Sequence, residues 1–260
     1  MSSIEELARA LDGAVGRVMD DGTVALLFSG GLDSGVLAAL ARRHGRPMLY
    51  TVGVDGCHDL RAAEDAAAAL DLPWTPLVMS PDEVIAACRE MLSITGIGSP
   101  LVLSFELPLQ MVASRASERM MMSGQGADEM FGGYSRYLQM GPVELEASMR
   151  ADLAKVLTDG VPLDRTIAAR YGKGIVHPFL DQEVRDVVHG IPASGMIRGG
   201  VRKAPLREVA LSVGAAAVAG REKKAAQYGS GFMKVMKAEA RRHGQSLGDY
   251  VATLRPGQHR

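Results

Sequence analysis

The run Ser29-Gly30-Gly31-Leu32-Asp33-Ser34 closes an apolar stretch, Val24 to Phe28, and opens a helical one. Two glycines let backbone N–H groups crowd around an oxyanion, and the helix start adds its dipole and unpaired donors. Ser29 and Ser34 add hydroxyl donors. Asp33 differs from them, because a carboxylate among phosphates is repelled unless a divalent cation stands between them, so its type and place mark it as a magnesium ligand. The loop reads as a cradle for a nucleotide with its metal. The plainer alternative is a strand-to-helix turn in which serine and aspartate only cap. No lysine follows the glycines, which excludes the G-x-x-x-x-G-K-[ST] loop. A second constellation, Ser123-Gly124-Gln125-Gly126-Ala127-Asp128-Glu129-Met130-Phe131-Gly132-Gly133-Tyr134, joins four glycines, two adjacent carboxylates and flanking aromatics.

The elements that position these loops alternate. Strand-like segments at 23–28, 47–52 and 74–79 are separated by helical stretches at 34–43 and 59–70, the pattern of a parallel sheet with crossover helices. Ser80-Pro81-Asp82-Glu83 starts a helix with an N-cap, a first-position proline and a third-position carboxylate. Residues 95–100 read as a loop, and 119–122 as a fourth strand ending at Ser123. Two strands of one sheet thus run into glycine-rich loops, and ligands in open α/β sheets bind beyond such ends. From Val143 onward no further strand pattern is legible, and helices broken by Gly172, Gly174, Pro178, Pro192 and Gly199-Gly200 are expected. The expected division is one domain over 1–240, with an α/β nucleotide-binding part at 1–142 and a helical cover at 143–240, then a helix and tail at 241–260.

At 260 residues the chain is long enough to bury a core without staples. A net charge of −1 gives no case for non-specific nucleic-acid binding. Cys57 and Cys88 lack C-x-x-C spacing and read as plain free thiols. The first residues form an amphipathic helical pattern with Glu5, Glu6, Arg9 and Asp12, and no apolar run reaches the ~18 residues of a membrane span. A cytoplasmic protein without membrane contact is expected, and a homo-oligomer is compatible with the composition.

SGGLDS alone resembles the pyrophosphate loop of ATP pyrophosphatases, which cut ATP between its α and β phosphates. Followed by SGQGADEMFGGY, it resembles the synthetase domain of asparagine synthetases and the related β-lactam synthetases. His177-Pro178-Phe179-Leu180-Asp181, Arg202-Lys203-Ala204-Pro205-Leu206-Arg207 and Arg221-Glu222-Lys223-Lys224 extend the likeness to about residue 232. The resemblance implies a parallel sheet of the adenine-nucleotide α-hydrolase type, with ATP and Mg2+ as cofactors. Leu27 and Val52 would border the adenine. Ser29, Gly30, Gly31, Ser34, Ser123 and Gly124 would meet the nucleotide, and Asp33 and Asp128 would hold magnesium. Lys203 matches the catalytic lysine, although a solvated helix lysine among Arg198, Arg202 and Arg207 is the alternative. Lys223 and Lys224 precede a glycine-containing loop that could close over phosphates.

Other residues are better explained structurally. Asp181 caps the helix after Phe179, a core plug. Asp164-Arg165 resembles an acceptor-side pair of the family, but an N-cap aspartate followed by a first-turn arginine explains it nearly as well. Gln125 stands where asparagine synthetases carry glutamate and β-lactam synthetases tyrosine, and glutamine takes no proton at neutral pH. Glu106 or Glu129 could serve instead, or a neutral nitrogen could need only positioning. Gly174-Ile175-Val176 replaces a Glu-x-Arg, so the acceptor side departs more than the ATP side. The chain begins Met1-Ser2-Ser3, without the cysteine nucleophile of a glutaminase domain. Free ammonia, a separate glutaminase subunit or a substrate amine is then the expected nitrogen source.

These features point to an AMP-forming amide ligase with aspartate as default carboxylate. Adenylation-based tRNA or nucleobase modification and a noncatalytic nucleotide-binding subunit are the rivals.

Overall fold

The computed structural model describes residues 2–20, 22–221 and 229–255. Its frame is a parallel sheet of β1 (Val24–Leu27), β2 (Met48–Val54), β3 (Trp74–Met79), β4 (Met120–Met122) and β5 (Gly174–Val176), in the spatial order β3-β2-β1-β4-β5. Leu26 of the central strand lies between Leu49 and Met122. Successive β1 side chains point to opposite faces, as a period of two requires. Val24 and Leu26 join one apolar core with helices α1 (Ser3–Met19), α2 (Leu32–His44) and α3 (His58–Leu70). Ala25 joins the other, under α4 (Pro81–Thr95) and α5 (Pro100–Arg115).

Helix starts follow their sequence signals. In α1, Ser2 and Glu5 exchange backbone-to-side-chain hydrogen bonds of 2.9 and 3.3 Å. Ser80 and Glu83 do the same in α4 at 2.8 and 3.3 Å, with Pro81 at the first helical position. Such a box satisfies two donors left open by the first turn. Cys57 and Cys88 are buried free thiols.

The second half is not free of strands. Residues 174–176 form β5, pairing Gly174, Ile175 and Val176 with Met120, Met121 and Met122. Three residues on a sheet edge are too few to show alternation, and Gly174 reads as a breaker. The Met120 side chain fills the space beside it, its Sδ 2.5 Å from where a Cβ would stand. A two-stranded hairpin, β6 (Ile197–Arg198) and β7 (Val201–Arg202), turns through Gly199 and Gly200 at φ +56° and +78°. Two positive-φ residues are what a tight hairpin needs, so this Gly-Gly marks a strand pair and not a helix break. Helices α6 (Ala127–Phe131), α7 (Pro142–Lys155), α8 (Val161–Arg170), α9 (Gln182–His189), α10 (Ala204–Ser212) and α11 (Ala216–Ala219) precede two last helices, Phe232–Arg242 and Leu247–Thr253. Those two pack Phe232, Met236, Tyr250 and Val251 into the same core as Ala25. Among the described residues no single helix is long and apolar enough to cross a membrane.

Candidate active site

The chain lays down β1, β2 and β3 toward one edge, then returns to place β4 on the other side of β1. That switch opens a crevice beyond the carboxyl ends of β1 and β4, where the two glycine-rich loops lie. In the first loop Gly30 has φ +69°, and a Cβ there would sit 2.3 Å from the carbonyl oxygen of Ala62, so only glycine fits. Gly31 is the N-cap of α2. The Ser29 N–H donates to Ser34 Oγ at 3.2 Å, and the two hydroxyls are 3.4 Å apart. Arg221 reaches across from beyond α11, donating through Nη1 to the carbonyls of Gly30 at 2.9 Å and Ala62 at 2.6 Å. The loop is thereby tied from outside.

Asp33 and Asp128 each occupy the second position of their helices, α2 and α6, and the two meet at Lys203. Lys203 Nζ lies 2.6 and 2.7 Å from the Asp33 carboxylate oxygens and 2.8 Å from Asp128 Oδ1. At 4% exposure Lys203 is not a solvated lysine. It follows the β6–β7 hairpin and precedes α10 with φ +58°, a left-handed conformation costing a non-glycine residue about 1 kcal/mol or more. Ala204 N donates to Met196 O at 3.0 Å, closing the hairpin that delivers the lysine. Gly133 leaves room for it, since a Cβ at 133 would fall 2.2 Å from Lys203 Cε. Arg202 donates to Gly133 O at 2.6 Å, and Arg207 to Arg202 O at 2.9 Å. Ser29, Gly31, Asp33, Arg202, Lys203, Arg207 and Arg221 line one cleft, giving the loop a cationic wall. The sequence displayed Arg202, Arg207 and Arg221 inside motifs, but nothing local assigned them to this wall.

Two carboxylates sharing one cation form a donor set that suits magnesium, which takes one or two protein carboxylates and completes its shell with phosphate and water oxygens. Among the described residues no group of three or more histidines, cysteines and carboxylates could form an all-protein cage. Gly124 backs Asp33, a Cβ there lying 3.2 Å from Asp33 Cβ. Leu27 is half-buried at the end of β1, and Val52 is buried in β2 opposite Leu77. Neither lines the cleft. The Gln125 side chain points elsewhere, its Nε2 2.8 Å from where a Cβ at Gly160 would be. Lys223 and Lys224 lie outside the described residues.

Behind Ser123 runs a buried polar chain. Ser123 Oγ is 2.8 Å from His177 Nδ1, and His177 Nε2 is 3.3 Å from Asp164 Oδ2. Asp164 in turn meets the Glu106 carboxyl of α5. Burial pushes Asp164 up to about 6. It drives Glu106 well above the usual carboxylate range, with the Asp164 charge adding to the effect. Burial, with Arg165 nearby, holds His177 down to about 4, so its imidazole is neutral. Asp164 is therefore not an N-cap: that position is Gly160, and Asp164 is the fourth residue of α8. A π-helical turn over Val156–Gly160 carries α7 into α8 without a break, leaving no helix start for the aspartate to cap. Asp181 does cap α9, accepting from Glu183 N at 3.0 Å, and Phe179 is fully buried edge-on to Phe131.

The profile of the asparagine synthase family matches residues 6–175 and 141–250. A glutamine-hydrolysing asparagine synthetase homologue of Methanocaldococcus jannaschii is 32% identical across 93% of this chain and 52% of its own length. Asparagine synthetase B of Escherichia coli is 29% identical across 87% of this chain and 45% of its own. The chain thus spans about half the length of these relatives. Among solved structures, NMN synthetase from Francisella tularensis overlaps 98% of this chain and 93% of its own at 12% identity, with a TM-score of 0.48. With its motifs in family order and its parallel sheet placing them at one crevice, this chain belongs to the asparagine synthase family.

Proposed function

We propose that the chain adenylates a carboxylate with ATP and passes the acyl group to nitrogen, forming an amide, AMP and pyrophosphate. The observation that carries this reading is the convergence of Asp33, Asp128 and Lys203 beyond the ends of β1 and β4. The Ser29–Ser34 loop and the N-terminus of α2 receive phosphate oxygens through backbone donors. A divalent cation bound with the nucleotide would be held by Asp33 and Asp128 and would neutralise charge on the leaving pyrophosphate.

Lys203 supplies a fixed positive charge between the two carboxylates, beside the arginines that line the cleft. A substrate carboxylate oxygen attacks the α-phosphorus, the bond to pyrophosphate breaks, and the Lys203 ammonium offsets charge on the transferring phosphoryl group. Arg221 keeps the loop from opening by holding Gly30 and Ala62. Burial of Lys203 strengthens its field, because a charge withdrawn from water is less screened. In the second half an amine attacks the acyl carbon and AMP leaves. Aspartate is the proposed acceptor and ammonia the proposed nitrogen source, delivered free or by a separate glutaminase subunit.

Carboxylate-dependent exchange of labelled pyrophosphate into ATP tests the adenylation half directly, with aspartate first in an amino-acid panel and Lys203→Ala as control. Exchange that disappears in the control supports the reading. ATP binding without exchange for any carboxylate overturns it in favour of a nucleotide-binding role.

A further inference from the structure

Amide formation requires a neutral nitrogen, whereas ammonium and alkylamines are protonated at neutral pH, so a group beside the acyl carbon must take a proton. Gln125 has no titratable group, and its amide is turned toward Gly160. Four other residues are wired together next to the nucleotide loop. Gln125 N–H donates to Ser123 Oγ at 3.3 Å, and Ser123 Oγ lies 2.8 Å from His177 Nδ1. His177 Nε2 lies 3.3 Å from Asp164 Oδ2, and the Glu106 carboxyl hydrogen-bonds to Asp164. Ser123, His177 and Asp164 are all buried, and Glu106 alone of the four keeps partial exposure.

The protons on this chain are constrained. Asp164 Oδ1 is buried and has no donor when carboxyl groups only accept. A proton on Glu106 supplies that donor, leaving the pair with a single negative charge. The neutral imidazole can then accept at Nδ1 from the Ser123 hydroxyl, while its Nε2 lies 3.3 Å from Asp164 Oδ2 without a hydrogen bond in this geometry. The charge of Arg165, next along α8, acts on His177, and Glu90 on α4 engages Tyr171.

Resting on the adenylation reading, we infer that the Glu106–Asp164 pair, fixed to the end of β4 through His177 and Ser123, receives the cationic nitrogen nucleophile and takes its proton. Glu106 passes its proton to Asp164 as it takes one from the ammonium nitrogen, and the pair becomes neutral. The freed lone pair forms the C–N bond at the acyl carbon while the C–O bond to AMP breaks, its electrons leaving on the AMP phosphate. The second nitrogen proton goes to that phosphate or to solvent. Glu106 is the residue that meets the nucleophile. Asp164, His177 and Ser123 position it and hold the charge.

The test compares wild type with Glu106→Gln in two assays: pyrophosphate–ATP exchange, which involves no nitrogen, and amide formation with ammonium or hydroxylamine, the latter largely neutral at pH 7. Glu106→Gln is expected to keep exchange, to lose ammonium-dependent product by about 100-fold, and to regain hydroxamate formation with hydroxylamine. His177→Asn is expected to move the pH profile of the ammonium reaction while leaving the hydroxylamine reaction pH-insensitive. Retained exchange also shows that each variant is folded. Undiminished use of ammonium by Glu106→Gln overturns the inference, as does parallel loss of exchange or of the hydroxylamine reaction, which would mark a structural role. Absence of exchange in wild type refutes the adenylation reading itself, a result distinct from these.

Discussion

A single methyl group at Gly133 should disable the site. A Cβ there would stand 2.0 Å from Asp128 Oδ1 and 2.2 Å from Lys203 Cε. Carbon atoms pack at about 3.5 Å, so Cε must retreat by about 1.3 Å. Gly133 cannot move aside, because its N–H donates to Asp128 O at 2.8 Å and its carbonyl accepts from Arg202 at 2.6 Å. The lysine and the carboxylate must give way, and contacts of 2.6–2.8 Å then stretch beyond hydrogen-bonding range. Overpacking of this kind costs about 1–3 kcal/mol. A displacement of about 1 Å at a reacting group costs roughly 100-fold in rate. Gly133→Ala should therefore lower the urea midpoint and reduce kcat for pyrophosphate–ATP exchange about 100-fold. Gly248→Ala is the control, since it meets nothing within 4 Å and lies in a helix. A Gly133→Ala protein with wild-type exchange and stability would refute the steric argument.

Lys203→Met removes the ammonium that lies between the Asp33 and Asp128 carboxylates. Roughly 3 kcal/mol of stability should be lost, and Mg2+ alone should raise Tm more in this variant than in wild type; equal metal shifts would contradict the assignment. Arg221→Ala removes a charged donor from the carbonyls of Gly30 and Ala62, worth about 2 kcal/mol. Calorimetry should then find ATP bound at least tenfold more weakly, and unchanged affinity would show the loop needs no external tie. The buried chain makes opposing contributions to stability as pH changes. Asp164, raised to about 6, keeps in the native state a proton that the unfolded chain loses, so its contribution is complete below the unfolded carboxylate range and fades as pH rises through 6. His177, lowered to about 4, does the reverse, its contribution failing as pH drops from the ordinary imidazole range toward 4. His177→Asn should steepen the loss of stability with rising pH by up to about 1.4 kcal/mol per unit between pH 4 and 6; coincident slopes in denaturant titrations would exclude this account.

The two phosphate-side loops are legible in the sequence because their signal is local: glycine, serine and aspartate at fixed offsets between a strand and a helix. The burial of Lys203 is not. As a string, Arg202-Lys203 beside Arg198 and Arg207 is a charged helical face, and only the order of motifs gives the lysine a role. Its left-handed backbone and its two carboxylate partners come from residues far along the chain. β5 is silent because three residues on an edge show no period. Asp164 misleads for a related reason: aspartate before arginine has the local look of a cap, while its real partners, His177 and Glu106, approach from β5 and α5. Local chemistry can be read from sequence, but pairing across the fold cannot.

The delivery of Lys203 by the β6–β7 hairpin ties completion of the site to a late-sequence segment. The loop after β1 and the loop after β4 can come together once the first four strands associate, yet the ammonium that joins their carboxylates belongs to a segment that follows β5 in the chain. Such non-local closure is slow relative to helix and hairpin formation. A partly assembled molecule would therefore hold Asp33 and Asp128 at the head of a nearly complete sheet before the Lys203 ammonium docks between them. In refolding, the gain of nucleotide protection reports the docking of one glycine-turned hairpin and lags the appearance of sheet structure.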